Sequence, residues 1–355
     1  MRHMPTWSGE TEMGANIKDV AKVAGVSPST VSRVISRSPR ISKATTERVL
    51  EVMKQLDYHP NTLARSLVTK SSRTIGILIP RTTEEFLKNP FFPELLRGVA
   101  QATQNHGFDI YLSTALNGST DSERLLGMAR SQRVDGILLP TSRADDDLLR
   151  VVEEHSIPSV LIGRPADQSS VLWVDNNNHK AAYEVTDHLL KLGHEKIGFI
   201  GGARDLIVTQ DRLAGYRDAL SQHGYTLDSS LVYSGAFLEE VGYDGMVRLL
   251  ARVDRPTAVV ASDDVLAFGA MRAAGELGYR IPEDIAITGF NDIPLAKLAN
   301  PPMTSMNMNI FELGRVAATL LVELIVDPDS EHHGTIVDHT LVVRGSSGSP
   351  KLHQN

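Results

Sequence analysis

Residues 17–35, IKDVAKVAGVSPSTVSRVI, decide how the amino-terminal part of this chain folds. Apolar residues in the first half recur with helical spacing, at positions 17, 20, 21 and 24, which predicts a helix with one buried face. Gly25 follows at the position where the end of a helix favours positive φ. Ser27 can then cap a second helix that begins with Pro28. Two short helices joined by a turn that contains glycine form a helix-turn-helix, whose second helix enters the major groove of DNA.

The second helix is predicted to have a buried face and an outward face. Its guanidinium group, on Arg33, is suited to pair with the O6 and N7 atoms of guanine, and the small residues before it permit close approach to base edges. The alternative is an ordinary solvated face. The apolar residues expected inside, including those of a third helix that begins near Ser42, are Val31, Val34, Ile35, Val49, Val52, Met53 and Leu56. The candidate DNA-contacting residues are Lys18, Ser27, Pro28, Ser29, Thr30, Ser32 and Arg33.

The charge of the chain is unevenly distributed. The whole chain carries a net charge of −7, yet residues 16–73 contain eleven lysines and arginines against four acidic residues. Most of the acidic residues therefore lie after position 73. A small basic segment joined to a large acidic one is typical of a module that binds a polyanion attached to a body that avoids DNA. A chance surface imbalance is the alternative.

Composition and motif searches exclude several classes of protein. The chain has no cysteine, so it has no disulfide framework, no thiolate metal site and no thiol nucleophile. It has no apolar run of the ~18 residues that a membrane helix needs and no signal-like apolar stretch at its start. We therefore expect a cytoplasmic protein without membrane contact. The nucleophile-elbow, Walker, zincin and dinucleotide-binding motifs do not occur, so we expect no catalytic residue, cofactor or metal.

The run from Ile17 to Ile35 closely resembles the head of the LacI/GalR family of bacterial repressors, and the resemblance continues through residues 58–67, YHPNTLARSL. In that family the second segment is a hinge that becomes helical on operator DNA, and a leucine that matches Leu67 wedges into the minor groove at a central base step. Such an apolar wedge unstacks the step and bends the DNA. The alternative for Leu67 is an ordinary core leucine. The resemblance implies DNA contacts by the hinge residues Asn61, Ala64, Arg65 and Leu67.

From Thr74 onward strands and helices alternate. Two such βαβ series predict an α/β core of two doubly wound parallel sheets, with a ligand cleft beyond the carboxyl ends of the strands. The resemblance implies the same two-lobed, periplasmic-binding-protein-like core, with three crossings, expected near 174–176, 304–305 and 335–336. The predicted strands are 74–79, 108–113, 136–140, 159–162, 171–174, 196–200, 258–261, 285–289 and 341–343, and the predicted helices are 91–106, 179–193, 212–223 and 263–278. The predicted domains are a disordered tail (1–15), a helix-turn-helix domain (16–60), a hinge (61–73), the core (74–348) and a flexible tail (349–355).

The resemblance also implies a small polar ligand in the cleft. Arg212, predicted to open a helix, matches the family arginine that binds effector hydroxyls or carboxylates, and Asp263 matches the aspartate that accepts from vicinal hydroxyls. A donor fork opposite a carboxylate suits a sugar. For these two residues the alternatives are a helix-terminal surface residue and an N-cap. Further candidates, each of which could instead serve packing or a turn, are Phe237, Phe91, Phe92, Asp175 and Asn291. Arg164 stands where related repressors often have an acidic residue.

These observations together predict a transcriptional repressor of a sugar-utilisation operon. The predicted partners are a small sugar-type effector and double-stranded operator DNA, a pseudo-palindrome with a central CG step. The carboxyl terminus lacks heptads, so we expect a homodimer that uses the helices 91–106 and 263–278. The segments 39–42, 61–68 and 89–98 look like those of maltose and maltodextrin regulators. The alternatives are a sugar-binding protein or sugar-acting enzyme whose head serves oligomerisation and, within the family, a corepressor-dependent regulator.

Overall fold

A computed structural model of the protein describes residues 15–35, 38, 40–58, 71–79, 88–114, 120–140, 142–144, 147–166, 169–329 and 331–348. The chain divides into two compact units, Met1–Ser72 and Arg73–Asn355, which are called here the head and the core. The expected hinge residues Asn61, Ala64, Arg65 and Leu67 lie outside the described residues, and so do positions 1–14 and 349–355 of the expected tails.

The head contains three helices, α1 (Ile17–Ala24), α2 (Pro28–Ile35) and α3 (Lys43–Gln55). Three of the helix boundaries have a clear local cause. The side chain of Asn16 accepts from the backbone N–H of Lys18 at the start of α1, and Gly25 ends that helix with φ at 66°. Ser42 caps α3 by accepting from the N–H of Thr45. The three helices predicted for the head are therefore confirmed, and a buried apolar cluster joins them: Val20, Ala21, Ala24, Val31, Val34, Val49 and Val52.

The core consists of two lobes, each built on a six-stranded sheet. The sheet of the N-terminal lobe has the strand order β11-β5-β4-β3-β1-β2, and its neighbouring strands run parallel. Its strands are β1 (Thr74–Leu78), β2 (Asp109–Ser113), β3 (Gly136–Leu139), β4 (Ser159–Ile162), β5 (Leu172–Asn176) and β11 (Thr335–Val337). Its helices are α4 (Phe91–His106), α5 (Asp121–Arg130), α6 (Asp147–Glu154) and α11 (Ile310–Val326).

The sheet of the C-terminal lobe has the order β12-β10-β9-β8-β6-β7, with β12 antiparallel to β10. Every residue of β6, β8 and β9 is buried and nearly all are apolar, as expected for strands covered by helices on both faces. The strands are β6 (Ile197–Gly201), β7 (Val232–Ser234), β8 (Ala258–Ala261), β9 (Ala286–Phe290), β10 (Thr304–Asn307) and β12 (Thr340–Val342). The helices are α7 (Asn178–Lys191), α8 (Ile207–Gln222), α9 (Glu239–Leu250) and α10 (Asp264–Glu276).

The chain passes three times between the lobes, at residue 177, at 308–309 and at 338–339. Each crossing lies within a few residues of its expected position: β5 ends at Asn176, and β10 and β11 continue to Asn307 and Val337. The predicted start of α8 was wrong. This helix begins at Ile207, five residues before Arg212, and its N-cap residue Leu206 makes no side-chain capping bond, so the usual start signal is absent. Four helices, α5, α6, α9 and α11, were missed.

Among the described residues no helix is both long enough and apolar enough to cross a bilayer.

Helices α4 and α11 lie unusually close together in the N-terminal lobe. A Cβ atom added at Gly98 would overlap the backbone carbonyl of Phe311, and one added at Gly314 would overlap the carbonyl of Leu95. These clashes are with backbone, so a rotamer change of a side chain cannot relieve them. Glycine at both positions allows the two helix backbones to approach each other.

We expect Gly98→Ala to lower the free energy of unfolding of the protein by about 1–3 kcal/mol, because the added methyl group forces α4 and α11 apart. The matched control is Gly127→Ala on α5, where an added Cβ meets no atom within 4 Å. This control should raise stability by up to about 1 kcal/mol through helix propensity. Urea denaturation of the variants measures both effects. Equal stability of the two variants would contradict the close-packing argument.

Candidate functional site

A cavity lies between the two lobes of the core, with about 200 Å³ accessible to water. It opens where the carboxyl ends of parallel strands from both sheets face each other, which is the usual position of a ligand site in such folds. The structure brings every residue proposed for the cleft to this one cavity: Arg212, Asp263, Phe237, Phe91, Phe92, Asp175 and Asn291. Whether these residues contact a ligand stays a prediction.

Arg212 lies in the second turn of α8, and its side chain is buried at the floor of the cavity. Its Nε donates to Asn178 Oδ1 at 3.0 Å and its Nη1 to the carbonyl of Ser262 at 2.5 Å. The guanidinium also stacks on the ring of Phe290, 4.5 Å from the ring centre. Burial lowers the pKa of Arg212 to about 10, against the opposing effect of nearby carboxylates. The group therefore stays positive at neutral pH.

Asp263 is both the N-cap of α10 and part of the cavity wall. One carboxylate oxygen accepts from the N–H of Val265 at 2.7 Å, and the other accepts from Asn291 Nδ2 at 2.8 Å and from Asn89 Nδ2 at 3.4 Å. Burial raises the pKa of Asp263 to about 6, although these hydrogen bonds and Arg212 favour the charged form. Asp263 is therefore an N-cap, as the alternative interpretation expected, but only through one of its oxygens. Its other oxygen is bonded to asparagines that line the cavity.

Asp175, at the end of β5, is the second buried carboxylate of the cavity. It accepts from the N–H of Asn176 at 2.8 Å and from Asn178 Nδ2 at 2.9 Å. Burial raises the pKa of Asp175 to about 6, and the negative charge of Asp211 acts in the same direction. The cavity therefore has a guanidinium donor and a carboxylate acceptor on the C-terminal lobe, Arg212 and Asp263, and a second carboxylate acceptor on the N-terminal lobe, Asp175.

Aromatic rings form much of the remaining wall. Phe91 and Phe92 lie edge to face with their centres 5.2 Å apart, and the ring of Phe237 packs onto Gly202, where any side chain would overlap it. Asn291 has φ at 98°, in the region that favours glycine. An apolar wall with a few convergent polar groups is typical of sites for small ligands.

The two lobes also touch at the rim of the cavity. Residues 142–144 of the N-terminal lobe run antiparallel to residues 205–207 of the C-terminal lobe, with Ala144 N donating to the Asp205 carbonyl at 2.9 Å and Ile207 N to the Ser142 carbonyl at 3.2 Å. Two ion pairs accompany this contact, Arg143–Asp205 and Arg164–Asp211. In this structure the lobes are therefore in contact at the cavity rim.

Several residues of the site were missed by the sequence analysis: Asn89, Asn178, Arg143, Asp205 and Asp211. A signal existed for Arg143, which follows the end of β3 and so belongs to the edge where ligand sites form. Asp205 and Asp211 had no such signal, because a pair formed across the two lobes leaves no local pattern in the sequence. Among the described residues no group of three or more potential ligands could hold a metal ion.

In the head, α2 presents the expected outward face. Ser27 Oγ lies 2.8 Å from Ser29 Oγ and 2.9 Å from Thr30 Oγ1, and it accepts from the N–H of Thr30 at 3.2 Å, so it caps the helix. Thr30 is half-buried. The other candidate residues for DNA contact are exposed: Lys18, Ser27, Pro28, Ser29, Ser32 and Arg33. This face combines one guanidinium with small hydroxyl side chains, the groups that reach base edges and phosphates.

We expect the stability contributed by Asp175 to depend on pH. Its pKa of about 6 in the folded protein exceeds the ordinary value of 3.8, so the folded state holds its proton more tightly. The contribution should therefore fall as pH rises from about 4 to about 6 and stay constant above that range. Asp175→Asn, which keeps an acceptor oxygen, should gain about 3 kcal/mol relative to the unchanged protein over this window. Denaturant unfolding at pH 4.5 and 7.5 should show about 2 kcal/mol of this gain, since the rest lies below pH 4.5. A difference that stays constant with pH would contradict the burial of a titrating carboxyl.

Comparison with known proteins gives two family matches. Residues 16–61 match the bacterial regulatory proteins of the lacI family, and residues 186–347 match a periplasmic binding protein-like domain. The transcriptional regulator CelR of Thermobifida fusca is 37% identical over 329 residues, 92% of this chain and 96% of CelR. The regulator MalR of Streptococcus pneumoniae serotype 4 is 37% identical over 320 residues, 89% of this chain and 94% of MalR.

A solved structure of a complex between the transcriptional regulator CelR and cellobiose is similar to this protein. The two chains are 34% identical and superimpose with a TM-score of 0.73, and the superposition covers 94% of this chain and 99% of the CelR chain. The similarity thus spans the head and both lobes. The chain belongs to the LacI family of bacterial transcriptional regulators.

Proposed function

We propose that this protein is a DNA-binding transcriptional repressor of a sugar-utilisation operon, whose affinity for its operator is controlled by a small sugar in the cavity between the lobes. The observation that carries the proposal is that cavity, in which a buried guanidinium and two buried carboxylates face aromatic rings. Hydroxyl groups of a sugar both donate and accept, so they can satisfy both kinds of charged group.

DNA recognition is proposed for the outward face of α2. Arg33 would pair with a guanine in the major groove, while Lys18, Thr30 and Ser32 would contact phosphates. The hinge residues Asn61, Ala64, Arg65 and Leu67 would enter the minor groove at a central CG step. A helix-turn-helix protein reads a two-fold symmetric operator as a dimer, so we propose a homodimer on a pseudo-palindrome, acting in the cytoplasm.

For the effector we propose a disaccharide of glucose. Arg212 would donate to ring hydroxyls, Asp263 and Asp175 would accept from them, and Phe237 would pack against the apolar face of the sugar ring. Segments of the sequence look like maltose regulators, whereas the CelR structure contains cellobiose. The first observation favours maltose and the second cellobiose, so both disaccharides are candidates.

The proposed control works through the equilibrium between lobe arrangements. A ligand that contacts Arg212 and Asp263 in one lobe and Asp175 in the other favours the arrangement in which both sets of contacts form. The hinges of the dimer then lose the spacing that their minor-groove form requires. The coupling is reciprocal, because an inducer weakens operator binding by the same factor by which the operator weakens inducer binding. The CelR and MalR relatives are named as transcriptional regulators, and we propose no catalytic activity for this chain.

Fluorescence anisotropy with a labelled pseudo-palindromic duplex tests the proposed function. The duplex carries a central CG step and is titrated at two salt concentrations with maltose, maltodextrins, cellobiose, other sugars and sugar phosphates. Tight binding that weakens steeply with salt and is relieved by one sugar is the expected result. A sugar that strengthens binding would identify a corepressor. Weak binding to every duplex, at both salt concentrations, would contradict the repressor function.

We expect Arg33→Ala to weaken operator binding by about 1–3 kcal/mol for each half-site, because one guanine contact is lost in each. The affinity for the sugar, measured by titration calorimetry, should stay unchanged. The control is Arg217→Ala, which removes an exposed arginine of the core that pairs with Asp218. A parallel loss of sugar affinity in Arg33→Ala would favour the alternative in which the head serves oligomerisation.

We expect Asp263→Asn to weaken sugar binding about tenfold to a hundredfold, because hydrogen bonds to a charged acceptor become bonds to a neutral one. The asparagine oxygen can still cap α10. Asp228→Asn is the matched control, since Asp228 also caps a helical turn in the same lobe but does not line the cavity. Equal affinities in calorimetry for Asp263→Asn and Asp228→Asn would exclude Asp263 from the ligand site.

A further inference from the structure

The rim of the cavity carries two arginines, and both are engaged by carboxylates of the opposite lobe. Arg164 Nε donates to Asp211 Oδ2 at 2.9 Å, and its Nη2 donates to the other oxygen of the same carboxylate. Arg143 Nη1 donates to Asp205 Oδ2. Both arginines also line the cavity. We infer that Asp205 and Asp211 make the cavity selective for an uncharged ligand, because they occupy the guanidinium groups that an anionic ligand would need.

The geometry of the Arg164–Asp211 pair is the first observation that supports this selectivity. A phosphate group binds arginine through two parallel N–H···O bonds, the same two-point arrangement that the Asp211 carboxylate already makes. A phosphorylated ligand would have to displace this carboxylate. The side chain of Asp211 is only 14% exposed, so the displaced charge would remain close to the incoming one. Two like charges at such a distance repel each other.

The charged groups inside the cavity also disfavour an anionic ligand. Asp175 and Asp263 are both buried there, and burial raises the pKa of each to about 6, so both carry charge at neutral pH. They face one buried cation, Arg212, whose Nε and Nη1 already donate to Asn178 and to the carbonyl of Ser262. An anion placed here would meet more negative than positive charge.

One further atom favours a hydroxyl-bearing ligand. Asn291 Oδ1 is buried, and it has no hydrogen-bond partner among the residues that the structure describes. Asn291 lines the cavity, and its Nδ2 is already committed to Asp263. The interior thus offers acceptors to a ligand that brings neutral donors, as a sugar hydroxyl does and a phosphate dianion does not. This inference rests on the proposed function, because it specifies the charge of the effector.

The test compares the unchanged protein with Asp211→Asn, which frees Arg164 while keeping the shape of the side chain. The control is Asp254→Asn, which breaks an exposed ion pair with Lys196 that does not line the cavity. Calorimetry measures binding of maltose, cellobiose, their phosphorylated forms and inorganic phosphate. The shared head contributes equally to phosphate binding in all three proteins, so differences between them report on the core.

We expect the unchanged protein and Asp254→Asn to bind the uncharged sugar at least about tenfold more tightly than its phosphorylated form, and Asp211→Asn to lose most of this preference. Asp211→Asn should also bind inorganic phosphate about tenfold or more tightly than the other two proteins. Asp205→Asn provides a second variant should Asp211→Asn fold poorly, with the same expected gain at Arg143.

Two results would overturn the inference: equal or tighter binding of the phosphorylated sugar by the unchanged protein, or no gain in phosphate affinity in either rim variant. If no sugar of either kind binds or alters operator affinity, the proposed sugar response is wrong. The comparison with inorganic phosphate still decides the inference in that case, because it does not depend on the identity of the effector.

Discussion

The cavity between the two lobes is organised around a buried positive charge, that of Arg212. A guanidinium removed from water must be matched by acceptors, because an unpaired buried charge costs several kcal/mol. Arg212 obtains them from Asn178, which follows the first crossing between the lobes, and from the carbonyl of Ser262, at the end of β8. Two carboxylates, Asp175 and Asp263, lie near enough to favour its charged form. The requirement to satisfy Arg212 therefore places residues of α7, α8 and the β8–α10 turn beside one another.

The same arrangement leaves carboxylate oxygens that face the cavity and can still accept hydrogen bonds. Asp263 caps α10 with one oxygen, so this helix is fixed whether or not a ligand is present. Burial keeps the pKa of both carboxyls high, so the folded protein holds these charges at a free-energy cost at neutral pH. A ligand that donates hydrogen bonds to them lowers this cost. Residues that weaken the stability of the free protein thus contribute to the affinity for a ligand, as is common at functional sites.

Features that depend on residues close together in the chain could be predicted from the sequence, and features that depend on distant residues could not. The head was predicted closely, since Gly25, Ser27 and Ser42 act on neighbouring residues and the apolar spacing of α1 and α3 is regular. The gathering of Arg212 and Asp263 followed from family resemblance and from the rule that strands present ligands at their carboxyl ends. The start of α8 was missed, because Leu206 provides no capping oxygen. The pairs Arg143–Asp205 and Arg164–Asp211 join residues 62 and 47 positions apart, and no local pattern marks such pairs.

The rim pairs are also suited in strength to a ligand-controlled equilibrium. In each pair one partner is well exposed, Arg164 at 42% and Asp205 at 49%, whereas Asp211 and Arg143 are 14% and 20% exposed. Solvent therefore screens each pair in part, and each contributes about 1 kcal/mol to the contact between the lobes. The two backbone hydrogen bonds between residues 142–144 and 205–207 add about 1 kcal/mol each. Reversing a two-state population from 1:99 to 99:1 requires about 5.5 kcal/mol of differential binding. A ligand held by Arg212 and Asp263 in the C-terminal lobe shifts this equilibrium only through the bonds that it adds to the N-terminal lobe, such as those to Asp175. At about 1.5–3 kcal/mol for each bond to a charged group, about two to four such bonds reach that value. A contact of this strength between the lobes is therefore weak enough for a ligand bonded to Arg212, Asp263 and Asp175 to determine whether the lobes stay together.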